Sequence, residues 1–329
     1  MSKIFVTRKI PGEHLEKLKD AGHEVLISEF DRVLTGEELV EKVKGAEALL
    51  CLLTDRIDGD LMDAAGPQLK VISNYAVGFD NVDIKAATDR QIPVCNTPSD
   101  EVNEAVAEHT WALILSLARR IVEADEATRR GGYKGWEPDI FLGVGLIGKT
   151  LGIIGLGRIG SMVARRARGY NMTVLYNKHE PDPQAEKELG LTFATLDDLL
   201  AKSDFVSLHA PLTEETRHMM NKETLAKMKD RSFLVNTARG QIVNEHDLVE
   251  SLRVGHLAGA ALDVFDNEPI IHPELIAMPN VITTPHIASA TFEARDKMGE
   301  QAVSAIIDTL GGKKPENLIN QEVWETRRK

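Results

Sequence analysis

Two cysteines in 329 residues, Cys51 and Cys95, are too few for a disulfide framework. Both sit inside apolar runs, "ALLCLL" and "IPVCNT", the setting of buried thiols in a reducing cytoplasm. No CxxC pair, HExxH, GxSxG or P-loop occurs, so structural-metal, zinc-protease, serine-nucleophile and nucleotide-hydrolysis chemistries lack their basic parts. The chain has no surplus of positive charge: its formal net charge is −12, which argues against nucleic acid or an anionic membrane as partner. Long hydrophobic runs are missing too. None is long enough to cross a bilayer, and the opening "MSKIFVTRKIPGEHLEKL" is broken by charges and a Pro-Gly pair where a signal peptide would be apolar. No internal repeat, low-complexity tract or heptad series is evident.

What is present is alternation. Short runs rich in Val, Ile and Leu are each followed by a helical pattern, as in parallel sheets covered by helices on their faces. The first series is "KIFVT" (3–7), "HEVLIS" (23–28), "EALLCLL" (47–53), "LKVISNY" (69–75) and "IPVCN" (92–96). A long helical pattern runs from Asp100 to about Arg130, and the loop "GGYKGWEPDIFLGVGLIGKT" leads into a second series. That series opens at Leu151 and continues through "MTVLY", "LTFAT", "DFVSLHAP", "SFLVNTA", "HLAGAALDVF" and "NVITTPHI". A chain of this length exceeds what one core usually supports. The final helical pattern, "TFEARDKMGEQAVSAIIDTL", has no strand left to complete in the second series and is expected to return to the first. The expected fold is α/β, with two doubly wound parallel-sheet domains around a cleft. Residues 1–99 with 287–329 would form a discontinuous, flavodoxin-like substrate domain, and 100–286 a Rossmann cofactor domain.

The stretch "TLGIIGLGRIGSMVARRA" carries Gly155-x-Gly157-x-x-Gly160 between an apolar strand and a helix, the context in which this fingerprint binds a dinucleotide. Gly155 permits the tight turn, Gly157 lets a pyrophosphate approach the backbone, and Gly160 lets the helix pack on the sheet. The amides opening the helix then face the phosphates. One expected part is missing. Such units end their second strand on an acid that holds the adenosine ribose, whereas this one reads Asn177-Lys178-His179. Cations there would attract a ribose 2′-phosphate, so NADP(H) is the expected cofactor, with NAD(H) as the alternative.

Six further stretches carry a family resemblance: "NYAVGFDNVD" (74–83), "GLGRIG" (155–160), "HAPLTEETRHMMN" (209–221), "LVNTARGQIVNEHDL" (234–248), "GAALDVFDNEP" (259–269) and "NVITTPHIASAT" (280–291). On them the chain resembles the D-isomer-specific 2-hydroxyacid dehydrogenases, most closely the glyoxylate/hydroxypyruvate reductases. The resemblance covers nearly the whole chain. It implies reduction of a small 2-keto acid to glycolate or D-glycerate by three residues, Arg239, Glu268 and His286. Their types suit the chemistry. Nicotinamide supplies only hydride, so a fixed cation must hold the carboxylate, the task of Arg239, and a proton must reach the carbonyl oxygen, the task of His286. Glu268 would hydrogen-bond the far ring nitrogen and stabilise the protonated imidazole.

The same resemblance gives the substrate the amides of Val77 and Gly78, an apolar wall at Leu53, and Trp136 from this or a neighbouring subunit. To the cofactor it gives Leu156, Arg158 and Ile159 of the fingerprint, then Pro211, Thr216, Thr237, Ala238 and Arg239, then Asp263, His286 and Ala288. It also makes the apolar stripe of "AVAEHTWALILSLARRI", long for a helix covering one domain, the core of a homodimer. Glu104, Glu108 and His109 share helical spacing but read as a solvated face, so no metal site is expected. Other readings remain. D-lactate-type dehydrogenases keep the reaction with another keto acid, and phosphite dehydrogenases carry a lysine in the loop where this chain has Val77. Corepressor-like scaffolds of the same fold sense dinucleotide without needing turnover.

Overall fold

The apolar runs become strands because each places alternate residues on opposite faces of a sheet that is covered on both sides. The computed structural model describes residues 1–328. These divide into two units, residues 1–102 with 290–328, and Asn103–Ser289. In the first unit five strands, β1 (Lys3–Val6), β2 (Glu24–Ile27), β3 (Ala48–Leu52), β4 (Val71–Tyr75) and β5 (Val94–Cys95), pair in parallel in the order β2-β1-β3-β4-β5. That is the flavodoxin-like order. Helices α1 (His14–Asp20), α2 (Gly36–Val43), α3 (Gly59–Ala65) and α4 (Ile84–Asp89) form the crossovers. Phe5, Leu49, Cys51 and Ile72 share a core with α2 and α3 on one face. The last helix of the chain, Phe292–Leu310, lies against β4, where Ser73 Oγ donates to the Ala302 carbonyl at 2.9 Å and Tyr75 Oη to that of Arg295 at 2.8 Å.

Between these two parts of the chain come α5 (Asp100–Ala118) and α6 (Ile121–Arg129). The helical pattern through Arg130 is thus two helices, a departure from the single run expected. The cause lies downstream: the Val144 amide donates to the Ala118 carbonyl at 2.7 Å, and a Cβ on Gly143 would lie 2.3 Å from that oxygen. The returning segment takes the acceptor that a continuing helix would use, and Arg120 turns the chain at φ +52°.

The second unit has seven parallel strands, β6 (Thr150–Ile154), β7 (Thr173–Asn177), β8 (Thr192–Phe193), β9 (Phe205–Leu208), β10 (Ser232–Asn236), β11 (Leu257–Leu262) and β12 (Val281–Thr283). Their order, β12-β11-β10-β9-β6-β7-β8, is the dinucleotide-binding order extended by one strand. Helices α7 (Arg158–Ala167), α8 (Pro183–Leu189), α9 (Leu196–Lys202), α10 (Lys222–Lys227), α11 (Glu245–Arg253) and α12 (Pro273–Ala277) connect them, and the Phe292–Leu310 helix is α13. Alternation sorts the side chains into two cores. Leu151, Ile153, Phe205, Phe233 and Val235 face α5 and α7, while Ile154, Val206, Leu208 and Leu234 face the α9 to α11 side. Trp111, Ile114 and Leu117 of the apolar stripe of α5 pack into the first of these cores. Among the described residues no helix is long and apolar enough to cross a membrane.

His209, just beyond β9, donates its amide to the Ile154 carbonyl at 2.7 Å and sets Nε2 2.9 Å from Ser207 Oγ. Burial holds its ring neutral, pulling its pKa from 6.5 down to about 4. Between those values the unfolded chain binds a proton that the native chain does not, so stability falls as pH drops through this window. Denaturant titrations of wild type and His209→Gln at pH 7 and pH 4.5 should show wild type losing about 2 kcal/mol more than the variant. Parallel losses would show that His209 is not the group responsible.

Candidate active site

The turn after β6 can be tested for a dinucleotide by asking what each glycine leaves room for. Gly155, at φ +95°, would place a Cβ 2.5 Å from the Ala210 amide nitrogen, and Gly160 would place one 2.2 Å from the Gly155 carbonyl oxygen. Both are therefore fixed by the protein's own packing. Gly157 differs, because nothing lies within 4 Å of its Cβ position. It caps α7 without any side-chain hydrogen bond, and no acid occupies the first turn. Open space beside free helix-opening amides fits a pyrophosphate. Arg158 is exposed at that turn, with Leu156 buried beneath it and Ile159 packed on the core.

At the end of β7 the three residues that replace the usual acid part company. Asn177 Nδ2 donates to the Ala194 carbonyl at 2.9 Å, Lys178 Nζ lies 3.3 Å from Asp182 Oδ2, and His179 is exposed. Asp182 also caps α8 through the Ala185 amide, and its own amide donates to the buried Tyr176 hydroxyl at 2.6 Å. An acid thus stands near this strand end after all, supplied four residues past Lys178 and paired with it. Beyond β9, Thr216 Oγ1 donates to the Pro211 carbonyl at 2.7 Å and closes that loop on itself.

The side chains of His286 and Glu268 meet. His286 Nδ1 lies 2.9 Å from Glu268 Oε2, while Glu268 Oε1 accepts the Phe265 amide at 3.0 Å. A carboxylate facing Nδ1 fixes the hydrogen on that nitrogen, which leaves Nε2 as the ring's remaining hydrogen-bonding atom. Arg239 follows β10 on a turn bracketed by the buried Asn236, whose Nδ2 donates to the Arg239 carbonyl and whose Oδ1 accepts the Ala238 amide. Its guanidinium donates to the Ala238 carbonyl at 2.8 Å. Gly240 brings this turn against the segment that carries Glu268: a Cβ there would fall 1.9 Å from the Phe265 carbonyl carbon. Gln241 and Glu245 complete the junction through the carbonyl and amide of Asp266.

Asp263, assigned to the cofactor by resemblance, lies wholly buried under the His286 turn. Its carboxylate accepts the Thr284 hydroxyl at 2.6 Å and the amides of Ile287 and Ala288 at 2.9 and 2.8 Å, with His109 Nε2 at 3.4 Å. Burial pushes its pKa up, but His109, Thr284 and the two amides outweigh that and hold it below the usual carboxylate range. His109 is therefore an inward-facing residue rather than part of a solvated face, while Glu104 on the same helix pairs with Arg166. Thr237 meets Thr110 of α5 at 2.9 Å. Sequence reasoning missed Asp182, Thr110 and Thr284. For Thr110 and Thr284 the one available signal was a polar residue adjoining an apolar run, and Asp182, in "NKHEPDPQAEKE", gave none.

In the first unit the segment after β4 is held by its carbonyls. Asn96 Nδ2 donates to Val77 O at 2.7 Å, and the buried Asn74 donates to Gly78 O at 3.0 Å while also bonding Asn81. With the carbonyls pinned, the Val77 and Gly78 amides find no acceptor among the described residues, and two adjacent free amides suit a carboxylate. Leu53 is half-buried beyond β3, and Trp136 is 83% exposed on the loop after α6.

Residues 111–288 match the family model described as "D-isomer specific 2-hydroxyacid dehydrogenase, NAD binding domain". A glyoxylate reductase of Thermococcus onnurineus is 46% identical over 99% of this chain and 98% of its own length. A protein of Thermus thermophilus of known structure, 44% identical, superposes with a TM-score of 0.90 over 96% of this chain and 99% of its own. An NADPH-dependent glyoxylate/hydroxypyruvate reductase from Sinorhizobium meliloti, solved with NADP and malonate, is 30% identical with a TM-score of 0.84 over all of this chain and 98% of its own. A family model spanning more than half the chain and a relative matching its whole length at 46% identity agree with the strand order, and the chain belongs to the D-isomer-specific 2-hydroxyacid dehydrogenase family.

Proposed function

We propose that this chain reduces small 2-keto acids, glyoxylate and hydroxypyruvate foremost, to glycolate and D-glycerate. The observation that carries the reading is the Glu268–His286 pair, with Glu268 anchored at its other oxygen. Bound nicotinamide supplies a hydride for the carbonyl carbon. His286 Nε2 gives a proton to the carbonyl oxygen as the alcohol forms, and Glu268 offsets the charge of the imidazolium before that transfer. Arg239 holds the substrate carboxylate and polarises the ketone, and the Val77 and Gly78 amides provide the remaining carboxylate contacts. The names of the full-length relatives support the choice of substrate.

The fingerprint turn would hold the dinucleotide, with Leu156, Gly157, Arg158 and Ile159 at the phosphates. Pro211, Thr216, Thr237, Ala238 and Ala288 line the rest of the site in this reading. NADPH is favoured over NADH because β7 ends without an acid and Lys178 stands in its place. Asp182 tempers that preference, since it already offsets the lysine's charge. We also propose a homodimer. Its structural support is the segment after α5: Ile121, Tyr133, Trp136, Leu142 and Ile147 are exposed apolar side chains, beside a cavity of about 410 Å³ lined by Leu117, Val144, Phe233 and Pro279. The two free, buried thiols fit a cytoplasmic enzyme.

With glyoxylate and either cofactor, His286→Ala should lower kcat by roughly two to four orders of magnitude while leaving cofactor binding within a few fold. Glu268→Gln removes the carboxylate that fixes the hydrogen on Nδ1, so kcat should fall about tenfold or more with KM for glyoxylate nearly unchanged. Full turnover in either variant would refute the assignment. For the cofactor, Lys178→Asp should shift the NADPH-to-NADH ratio of kcat/KM toward NADH by about tenfold, or ~1.4 kcal/mol. A wild type that already prefers NADH would sink the NADPH reading. Sedimentation at micromolar concentration should give a dimer, and a monomer there would remove the assembly from the proposal.

A further inference from the structure

Two neighbouring side chains of α5 turn inward and meet the strand ends that carry the site. The hydrogens of both contacts can be assigned. The Thr284 hydroxyl lies 2.6 Å from Asp263 Oδ1, an ionised acceptor, and so gives its one hydrogen there. His109 Nε2, 3.2 Å from the same hydroxyl oxygen and 3.4 Å from Asp263 Oδ1, must then be a donor. At the next residue, Thr110 gives its hydrogen to the Val106 carbonyl at 2.8 Å, so the Thr237 hydroxyl 2.9 Å away donates to Thr110. Thr284 stands two residues before His286, and Thr237 two residues before Arg239.

We infer that His109 and Thr110 are positioning residues, through which one step of α5 fixes the spacing between the turn bearing the proton donor and the turn bearing the carboxylate-binding cation. The two turns follow β12 and β10, and β11 lies between those strands, so no backbone ladder joins them directly. A rigid helix touching both with consecutive side chains supplies the missing link. Proton transfer and carboxylate binding must act on one small molecule at once, and errors of an ångström in such spacing cost large factors in rate. The inference rests on the roles proposed above for Arg239 and His286, and it assigns a different kinetic consequence to each link.

Thr110→Val loosens the Arg239 turn, so KM for glyoxylate should rise about five- to tenfold with kcat held within about twofold. His109→Leu loosens the His286 turn, so kcat should fall about tenfold with KM for glyoxylate nearly unchanged, and the solvent deuterium isotope effect on kcat should grow. His109→Gln, which keeps a donor at similar reach, should recover most of the lost kcat. A merely structural role would lower the thermal midpoint of both variants without this split between KM and kcat, and that result overturns the inference. Should His109→Leu fail to fold, Thr284→Val cuts the same link from the other side, and a wild-type kcat there overturns it equally. The two layers fail separately. Turnover surviving His286→Ala refutes the catalytic assignment, whereas an inactive His286→Ala beside a normal His109→Leu refutes the positioning alone.

Discussion

The turn that carries His286 depends on one buried anion. Asp263 is wholly inaccessible, and an ionised carboxylate removed from water is tolerated only where donors replace its hydration. Here the donors come from both sides of one residue: the Thr284 hydroxyl lies before His286, and the Ile287 and Ala288 amides lie after it. The His286 amide itself donates to the Asp263 carbonyl at 2.8 Å. Gripping the chain on both flanks forces the residue between them into the left-handed region, at φ +55°, a conformation that a histidine adopts only when its surroundings over-determine it. The same bend presents the ring to Glu268. A group beneath the site thus sets the geometry of the group that would do the chemistry.

The second constraint is close backbone approach. Gly240 and Gly155 do not serve as flexible joints; each stands where another segment's backbone occupies the volume of a Cβ. Gly240 admits the Phe265–Asp266 backbone, so the turns carrying Arg239 and Glu268 share one junction. Gly155 admits the Ala210 backbone, so the dinucleotide turn and the loop after β9 share another. Substituting either would require backbone displacement rather than side-chain rearrangement, the costlier kind of overpacking.

How much of this was legible in the sequence depends on the range of the interaction. The strands were, because "LGII", "FLVN" and "AGAAL" declare burial on two faces through local composition, and the fingerprint glycines were, because their spacing is fixed by one turn. The break at Arg120 was not. Its cause is the Val144 amide, two dozen residues downstream, and nothing in "SLARRIVEADE" weakens the helical pattern. The packing of Trp111, Ile114 and Leu117 on α5 was hidden for a related reason. Excess apolar surface shows that a helix is buried without saying by what, and the answer was the chain's own sheet. At β7 the absent acid was read correctly as a departure, yet Asp182 returns a carboxylate to Lys178 through the fold of the intervening loop.

Polar residues at the ends of apolar strands offer a rule that would have found the supporting layer. Ser207, Asn236 and Asp263 are wholly inaccessible, and they stand in or just beyond β9, β10 and β11, neighbours in the sheet. Each appears as one polar letter closing an apolar run, in "FVSLHA", "FLVNTA" and "AALDVF". A polar group survives there only if the next loop returns hydrogen bonds to it, because leaving it unpaired costs on the order of 1–3 kcal/mol. Each therefore organises the loop that follows or faces it: Ser207 meets His209, Asn236 brackets Arg239, and Asp263 clamps His286. Since ligands of open parallel sheets bind beyond the carboxyl ends of the strands, the residues that position the site fall one layer beneath it. Their signature in sequence is a lone polar residue where period and burial call for an apolar one.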